Sequence, residues 1–124
     1  MRNPEFILEL KNISKVYEAA NSYNHTVFDG IDLQIKEGEI LTVIGRSGCG
    51  KSTLLNIIAG LDRLFSGELL VEGKLVLSAG SDRAMIFQEN ALFPWLKVID
   101  NVEFGLKMVG IQKDKRHSIA IHYL

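Results

Sequence analysis

A nine-residue segment, Gly45–Thr53, combines glycines, a lysine and two hydroxyl side chains at a spacing that suits phosphate binding. Its sequence, GRSGCGKST, matches the pattern G-x-x-x-x-G-K-[ST], in which each residue type has a physical role. Gly45, Gly48 and Gly50 allow backbone conformations that a Cβ atom would forbid, so that several N–H groups can point at one anion. We therefore predict that this segment binds the phosphates of a nucleotide.

The polar side chains of the segment have separate predicted roles. Lys51 would neutralise the β- and γ-phosphate oxygens as a point charge. The Ser52 hydroxyl would ligate Mg²⁺, and the Thr53 hydroxyl would reach another phosphate. Cys49 is interpreted as a small residue of a tight loop rather than a redox group. The predicted nucleotide-binding residues are Gly45, Arg46, Ser47, Gly48, Cys49, Gly50, Lys51, Ser52 and Thr53.

A helix is predicted directly after the loop, over residues 51–59. Leu54, Leu55 and Ile58 would form its apolar side, and Gly60 would end it. The positive end of the helix dipole would then face the bound phosphate. This context disfavours the alternative, a glycine-rich strand-to-helix turn in which the lysine and serine occur by chance.

The remaining patterns predict mostly strands before residue 90 and helices after it. The short apolar run 40–44 is typical of a strand buried on both faces, and 83–87 is predicted as another strand of this buried type. Alternating patterns predict two further strands, the second with a bend or bulge at Asp29–Gly30, and a hairpin that turns at Glu72–Gly73. The alternating strands span 6–13 and 27–35, and the hairpin pairs 68–71 with 74–77.

Beyond residue 95, apolar residues recur at helical spacing. They predict a helix from about Ile99 that Gly110 ends, with Asp100 and Glu103 as a capping box. A further helix is predicted from Gln112 to Leu124. We interpret its basic residues as a solvated face and assign no histidine of the chain to a metal site. These residues are Lys113, Lys115 and Arg116, and His25, His117 and His122.

The composition excludes several classes of protein. The chain has 124 residues, which fits one domain at most, and its net charge of -1 argues against bulk electrostatic binding to nucleic acid or anionic lipid. The only cysteine cannot form an internal disulfide or a cysteine zinc site. No run approaches the ~18 apolar residues of a spanning helix, and we expect a cytosolic protein.

Several short phrases follow one another in a characteristic order along the chain. They are the segments 10–17, 28–33, 38–40, 54–61, 66–68, 85–89, 92–95 and 100–102. Together with the phosphate loop, they resemble the ATP-binding cassette family, the nucleotide-binding subunits of ABC transporters. The resemblance implies ATP and Mg²⁺ as ligands and an α/β fold, a P-loop NTPase core with an antiparallel β subdomain.

The resemblance also implies a division of the chain. Residues 1–124 would be the N-terminal part of one ATP-binding domain, truncated before its helical subdomain is complete. Its predicted parts are a β-rich part at 5–44 and 67–77, the phosphate loop and helix at 45–60, a glutamine loop at 83–95, and the start of the helical subdomain at 98–124.

Two residues outside the phosphate loop receive roles from the resemblance. Tyr17 would stack on the adenine base, the alternative being a buried tyrosine at a strand end, and Tyr23 is a weaker candidate for the same role. Gln88 would ligate Mg²⁺ or orient the attacking water, the alternative being a solvated glutamine. Catalysis would then depend on Lys51 and Gln88.

The apolar phrase Leu92-Phe93-Pro94-Trp95 would form a groove for a short helix of a transmembrane permease subunit. A satellite core under the loop is the alternative. The phrase is most similar to importers of nitrate, sulfonate and taurine, although amino-acid and metal importers carry similar phrases. A second ATP-binding subunit would complete a dimer on the cytoplasmic face of the membrane. Lys97 departs from the family, which usually has Thr or Ser there, so the helix start would depend on Asp100.

The family's signature sequence, its aspartate–glutamate pair and its switch histidine are absent from these residues. We therefore expect the 124 residues alone to bind nucleotide weakly and not to hydrolyse it, and we expect unpaired apolar edges at the two buried-type strands. Three classes remain: the first half of an importer ATPase, a non-hydrolytic nucleotide-binding fragment, and another P-loop enzyme such as a kinase or GTPase.

Overall fold

The structure, a computed structural model, describes residues 5–18, 24–63, 65–89 and 91–124. It contains two compact units, Met1–Met85 (the first unit) and Ile86–Leu124 (the second unit). The weaker stacking candidate, Tyr23, lies outside the described residues.

The first unit is built on an antiparallel sheet of four strands in the order β2-β1-β3-β4. One helix packs against the sheet, and the buried side chains of Leu10, Ile13, Ile57 and Leu69 form the centre of the core. The elements are β1 (Leu8–Tyr17), β2 (His25–Ile35), α1 (Lys51–Ile58), β3 (Ser66–Val71) and β4 (Lys74–Leu75).

The pairing of β1 with β2 has three irregularities of register, of which the first two are bulges on opposite strands. Between the pairs Leu10↔Leu33 and Ile13↔Ile31, β1 advances by one residue more than β2, and Asn12 has a left-handed φ of 51°. The predicted bulge at Asp29–Gly30 is confirmed, because β2 gains the extra residue there and Gly30 has a φ of 69°. The strand predicted to end at residue 13 therefore continues to Tyr17.

The predicted hairpin is confirmed. Glu72 and Gly73, between β3 and β4, have φ values of 49° and 72°, the backbone of a type I′ turn whose twist matches the strands. The second strand is shorter than predicted, although the Val76 N–H still donates to the Leu69 carbonyl at 2.8 Å.

The two apolar runs predicted as buried strands are not strands, which corrects the sequence-based prediction. Ile40 and Ile44 are 92% and 90% exposed, and Ile86 is 97% exposed. A strand is stabilised by hydrogen bonds to a neighbouring strand, and within the described part of the chain the sheet does not extend to either run. Apolar composition alone could not reveal that this pairing is missing.

The helix α1 covers the predicted residues, and Gly60, with a φ of 75°, follows it as expected. Its buried side differs in part from the prediction. Leu54 and Ile57 are buried against the sheet, whereas Leu55 is half exposed. The correction follows from the helix repeat, because residues three apart share a face and adjacent residues do not.

The second unit contains the helices α2 (Val98–Met108) and α3 (Lys113–His122). Gly110, with a φ of 79°, follows α2 as predicted. The predicted capping box is wrong, because the N-cap is Lys97 and Asp100 lies within the first turn. A carboxylate in the first turn still interacts favourably with the positive end of the helix dipole. Within the described residues, neither unit has a helix that is both long and apolar enough to cross a bilayer.

Candidate functional site

The phosphate loop runs from Gly45 into α1 as a series of tight turns. Gly48 and Gly50 have left-handed φ values of 78° and 99°. The Cys49 N–H donates to the Arg46 carbonyl at 3.3 Å and closes one of the turns. Gly50 is the N-cap of α1, so the left-handed residue marks the change from loop to helix.

Two glycines of the loop also lie where an added Cβ atom would meet close neighbours. A Cβ atom on Gly45 would lie 2.5 Å from the Cys49 Sγ. A Cβ atom on Gly50 would overlap Val27 Cγ1 and would lie 2.9 Å from the ring of Phe28, both on β2. The loop therefore folds closely on itself and packs directly against the sheet.

The Lys51 ammonium group lies over the loop. Its Nζ donates to the carbonyl oxygens of Gly45 at 2.8 Å and Arg46 at 2.7 Å, and it lies 3.6 Å from the Cys49 Sγ. These contacts hold the positive charge against the backbone of the loop itself. A phosphate at this position would meet a charge that is already in place.

The N-terminus of α1 has the donors that an anion needs. No side chain caps this end of the helix, and its first turn has no acidic residue. The N–H groups of the first turn have no partner within a helix. A phosphate accepts hydrogen bonds from them and interacts favourably with the positive end of the helix dipole. Ser52 is exposed and Thr53 is half-buried at this end. The loop, the lysine and the helix end together fit a nucleotide phosphate.

Tyr17, the predicted base-stacking residue, is the last residue of β1 and pairs with His25 of β2. Its side chain is 46% exposed, so the alternative of a buried strand-end tyrosine is wrong. It lines an open groove of about 690 Å³ together with Lys15, Arg63 and Phe65. An aromatic ring accessible from a groove can stack on a flat base.

Lys15 contacts Tyr17 and was not predicted as a site residue. Its Nζ lies 4.6 Å from the centroid of the Tyr17 ring and within 2.9 Å of both carboxylate oxygens of Asp62. Side chains two residues apart on a strand point to the same face, so the position of Lys15 relative to Tyr17 is the sequence feature that could have predicted their contact. The bulge at Asn12 prevented this prediction. Strict alternation from Leu8 and Leu10 would place residue 15 on the face opposite to theirs.

The other predicted site residues lie in the second unit. Gln88 is exposed and precedes the apolar loop. The loop is divided: the ring of Phe93 packs 4.5 Å from the Phe104 ring of α2, whereas Leu92 and Trp95 are 68% and 75% exposed. Phe93 thus matches the satellite-core interpretation, and its neighbours are free to meet a partner.

A side chain of α2 fixes the backbone of this loop. Asn101 Oδ1 accepts the Phe93 N–H at 2.8 Å. Its Nδ2 lies within 3.2 Å of the carbonyl oxygens of Phe93, Leu96 and Lys97, to which it donates. The exposed apolar side chains therefore extend from a fixed backbone.

Glu103 joins the two helices of the second unit. Its carboxylate accepts from Arg116 Nε at 2.7 Å and lies 2.7 Å from His117 Nδ1. The Arg116 hydrogen bond, followed by that of His117, lowers the pKa of the Glu103 carboxyl below its ordinary value. Arg116 is therefore not part of a solvated face, which corrects the prediction, whereas Lys113 and Lys115 are exposed.

The sequence matches the family described as "ABC transporter" over residues 28–124. It is 45% identical over 117 residues to an uncharacterized ABC transporter ATP-binding protein of Methanocaldococcus jannaschii, covering 94% of this chain and 43% of that protein. A taurine import ATP-binding protein of Burkholderia pseudomallei is 44% identical over 89% of this chain and 42% of its own length. A nitrate import ATP-binding protein of Synechocystis is 42% identical over 94% of this chain and 44% of its own length.

Solved structures are similar as well. A dimeric ATP-binding cassette in a post-hydrolysis state, bound to ADP and Pi, superposes with a TM-score of 0.80 at 30% identity. The superposition covers 93% of this chain and 54% of that one. The chain thus spans less than half the length of the curated relatives named above and about half of the solved cassette.

Proposed function

This chain belongs to the ABC transporter family, and from that premise we propose that it supplies the ATP-binding part of a subunit that couples ATP hydrolysis to solute import. The phosphate loop is the observation that carries the proposal. Its glycine turns, the lysine held over them and the uncapped end of α1 form one anion site. Family membership decides against an unrelated P-loop kinase or GTPase.

Within this site, each residue has a proposed task. Lys51 would bind and neutralise the β- and γ-phosphate oxygens, and the first-turn N–H groups of α1 would hold the same phosphates. Ser52 would hold Mg²⁺, which supplies further neutralisation of phosphate charge when it is bound. The role of Gln88, which lies in the second unit, stays a prediction from the family resemblance. Tyr17 would stack on the adenine from the groove beside β1.

The transported solute is proposed to be a small polar molecule or ion that carries a negatively charged oxygen group, such as a sulfonate, nitrate or bicarbonate. Relatives at 42–44% identity are named as taurine, nitrate and bicarbonate transport proteins. This agrees with the resemblance of the phrase at 92–95 to importers of nitrate, sulfonate and taurine.

The proposed partners are a transmembrane permease subunit and a second ATP-binding subunit. The exposed Leu92 and Trp95 beside the packed Phe93 offer the permease an apolar contact on a fixed backbone. A solved relative of the same fold is a dimer. The subunit would then lie at the cytoplasmic face of the membrane as a peripheral protein.

The test of nucleotide binding is the substitution Lys51→Ala in the intact protein that contains this chain. Loss of a charged donor to phosphate costs about 1.5–3 kcal/mol, so we expect the Kd for ATP to rise by about ten- to hundredfold. Isothermal titration calorimetry measures it. Lys11→Ala, which removes an exposed lysine of β1, is the matched control and leaves the Kd unchanged. Equal affinities for Lys51→Ala and the parent would refute the proposal.

A further inference from the structure

Lys15 is a buried charge beside the proposed base-binding residue. Its side chain is only 2% exposed, and its ammonium contacts both oxygens of Asp62, at 2.9 Å and 2.8 Å. A buried ion pair is costly to desolvate, and apolar residues of similar volume often replace such a pair without loss of stability. Stability alone therefore does not explain why a lysine lies here.

The same ammonium also contacts the ring of Tyr17. Lys15 Nζ lies over the ring, 4.6 Å from its centroid, which is within the range of a cation–π contact. A ring has two faces, and the ammonium occupies one of them. The Tyr17 side chain is nevertheless 46% exposed, which leaves ring surface accessible from the groove.

Asp62 connects this contact to the phosphate loop. The Asp62 N–H donates to the carbonyl of Asn56, in the second half of α1, at 3.2 Å. The same helix begins at Lys51, directly after the loop glycines. A helix of this length spans about 12 Å, so α1 positions a phosphate site at one end and the partner of Lys15 just beyond the other.

We propose that Lys15 is a positioning residue for adenine: held by Asp62, it fixes one face of the Tyr17 ring so that the other face is presented to the base. This inference rests on the proposed function, because it assumes that the nucleotide base stacks on Tyr17. It adds a residue pair, Lys15 and Asp62, that places the stacking ring relative to α1.

The test compares ATP with tripolyphosphate, which has the phosphates but no base. In the intact protein, Lys15→Met is expected to raise the Kd for ATP by about three- to tenfold, because a Tyr17 ring that is no longer fixed loses part of its stacking on the base, and to leave the Kd for tripolyphosphate unchanged. Lys11→Met on the same strand is the matched control and changes neither Kd.

Two further variants separate positioning from general damage. The double variant Lys15→Met with Asp62→Asn leaves no unpaired buried charge, remains folded by circular dichroism and shows the same loss for ATP alone. In a Tyr17→Ala background, Lys15→Met has no additional effect on the Kd for ATP. A loss shared by ATP and tripolyphosphate, or one that persists without Tyr17, would overturn the inference.

The outcomes also distinguish this inference from the proposed function. If Lys51→Ala weakens both ligands and Tyr17→Ala weakens neither, the nucleotide site stands and the positioning role of Lys15 is overturned. If Lys51→Ala weakens neither ligand, the proposed function itself fails.

Discussion

Gly48 and Gly50 lie two residues apart in the phosphate loop and share a left-handed backbone, but their surroundings differ. A Cβ atom on Gly48 would meet nothing within 4 Å, whereas on Gly50 it would overlap Val27 and Phe28. The first glycine is thus required by backbone conformation alone. The second is required by conformation and by the packing of the loop against the sheet.

This difference predicts unequal effects of two alanine substitutions. Gly50→Ala combines backbone strain with overpacking, each of which costs about 1–3 kcal/mol, whereas Gly48→Ala has the strain alone. We expect Gly50→Ala to lower the free energy of unfolding by at least about 1 kcal/mol more than Gly48→Ala. Urea denaturation of the intact protein measures both. Equal losses would show that the contact with β2 is not a constraint.

The sequence predicts the phosphate loop directly because the residues of the loop are neighbours in the chain. The motif at 45–53 is contiguous, so residue types and spacing were sufficient to predict the loop and its lysine. Lys15 and Asp62 are separated by 47 residues and meet only because the strand register and the end of α1 bring them together. No local pattern contains that information.

At the scale of elements, predictions succeeded where the turn chemistry was local. The hairpin at Glu72–Gly73 and the helix ending at Gly110 follow from residue types that accept a left-handed backbone. The bulge at Asn12 was not predicted, because it arises from pairing with two neighbouring strands. The run at 40–44 was predicted wrongly, because a strand needs a hydrogen-bonded neighbour as well as apolar side chains.

The Glu103 contacts predict that the pairing of α2 with α3 depends on pH. The pKa of Glu103 is lowered in the folded state, so its stabilising effect is present above the unfolded value near 4.5 and disappears as the pH falls through the folded value. Glu103→Gln should therefore reduce stability at pH 7. The difference from the parent should shrink as the pH falls below 4.5.

Thermal denaturation of the intact protein between pH 3 and pH 7, together with hydrogen exchange of the α2 and α3 amides, measures this dependence. Glu89→Gln, an exposed carboxylate of the second unit, is the matched control. A destabilisation by Glu103→Gln that is the same at pH 3 and pH 7 would show that the charge is irrelevant.

At the scale of the whole molecule, both units expose apolar side chains. In the first unit, Ile40 and Ile44 are almost fully exposed next to the phosphate loop in sequence, and in the second unit Ile86 is exposed two residues before Gln88. Exposed apolar runs of this kind favour association. They support the proposal that these 124 residues work together with further protein.

This leads to a prediction for the isolated chain. Expressed as residues 1–124, it should bind ATP weakly and release no phosphate, because the aspartate–glutamate pair that the family uses for hydrolysis is absent from it. A phosphate-release assay with Mg²⁺ measures turnover, with Lys51→Ala as the background control. Turnover that disappears in Lys51→Ala would contradict the prediction. The intact mass of the native gene product, compared with 13.8 kDa, shows whether more chain accompanies these residues.

The Asn101 side chain has a consequence for protein engineering. It holds the backbone of residues 93–97 through one acceptor oxygen and two donor hydrogens, whereas the side chains of Leu92 and Trp95 are mostly exposed. The Trp95 ring still touches the Phe93 ring, with the centroids 5.5 Å apart, and Leu92 is the more independent of the two. The hydrogen bonds that hold the backbone therefore do not involve the exposed side chains. A library that varies residues 92 and 95 and keeps Asn101 and Phe93 would sample new binding specificities on one unchanged scaffold.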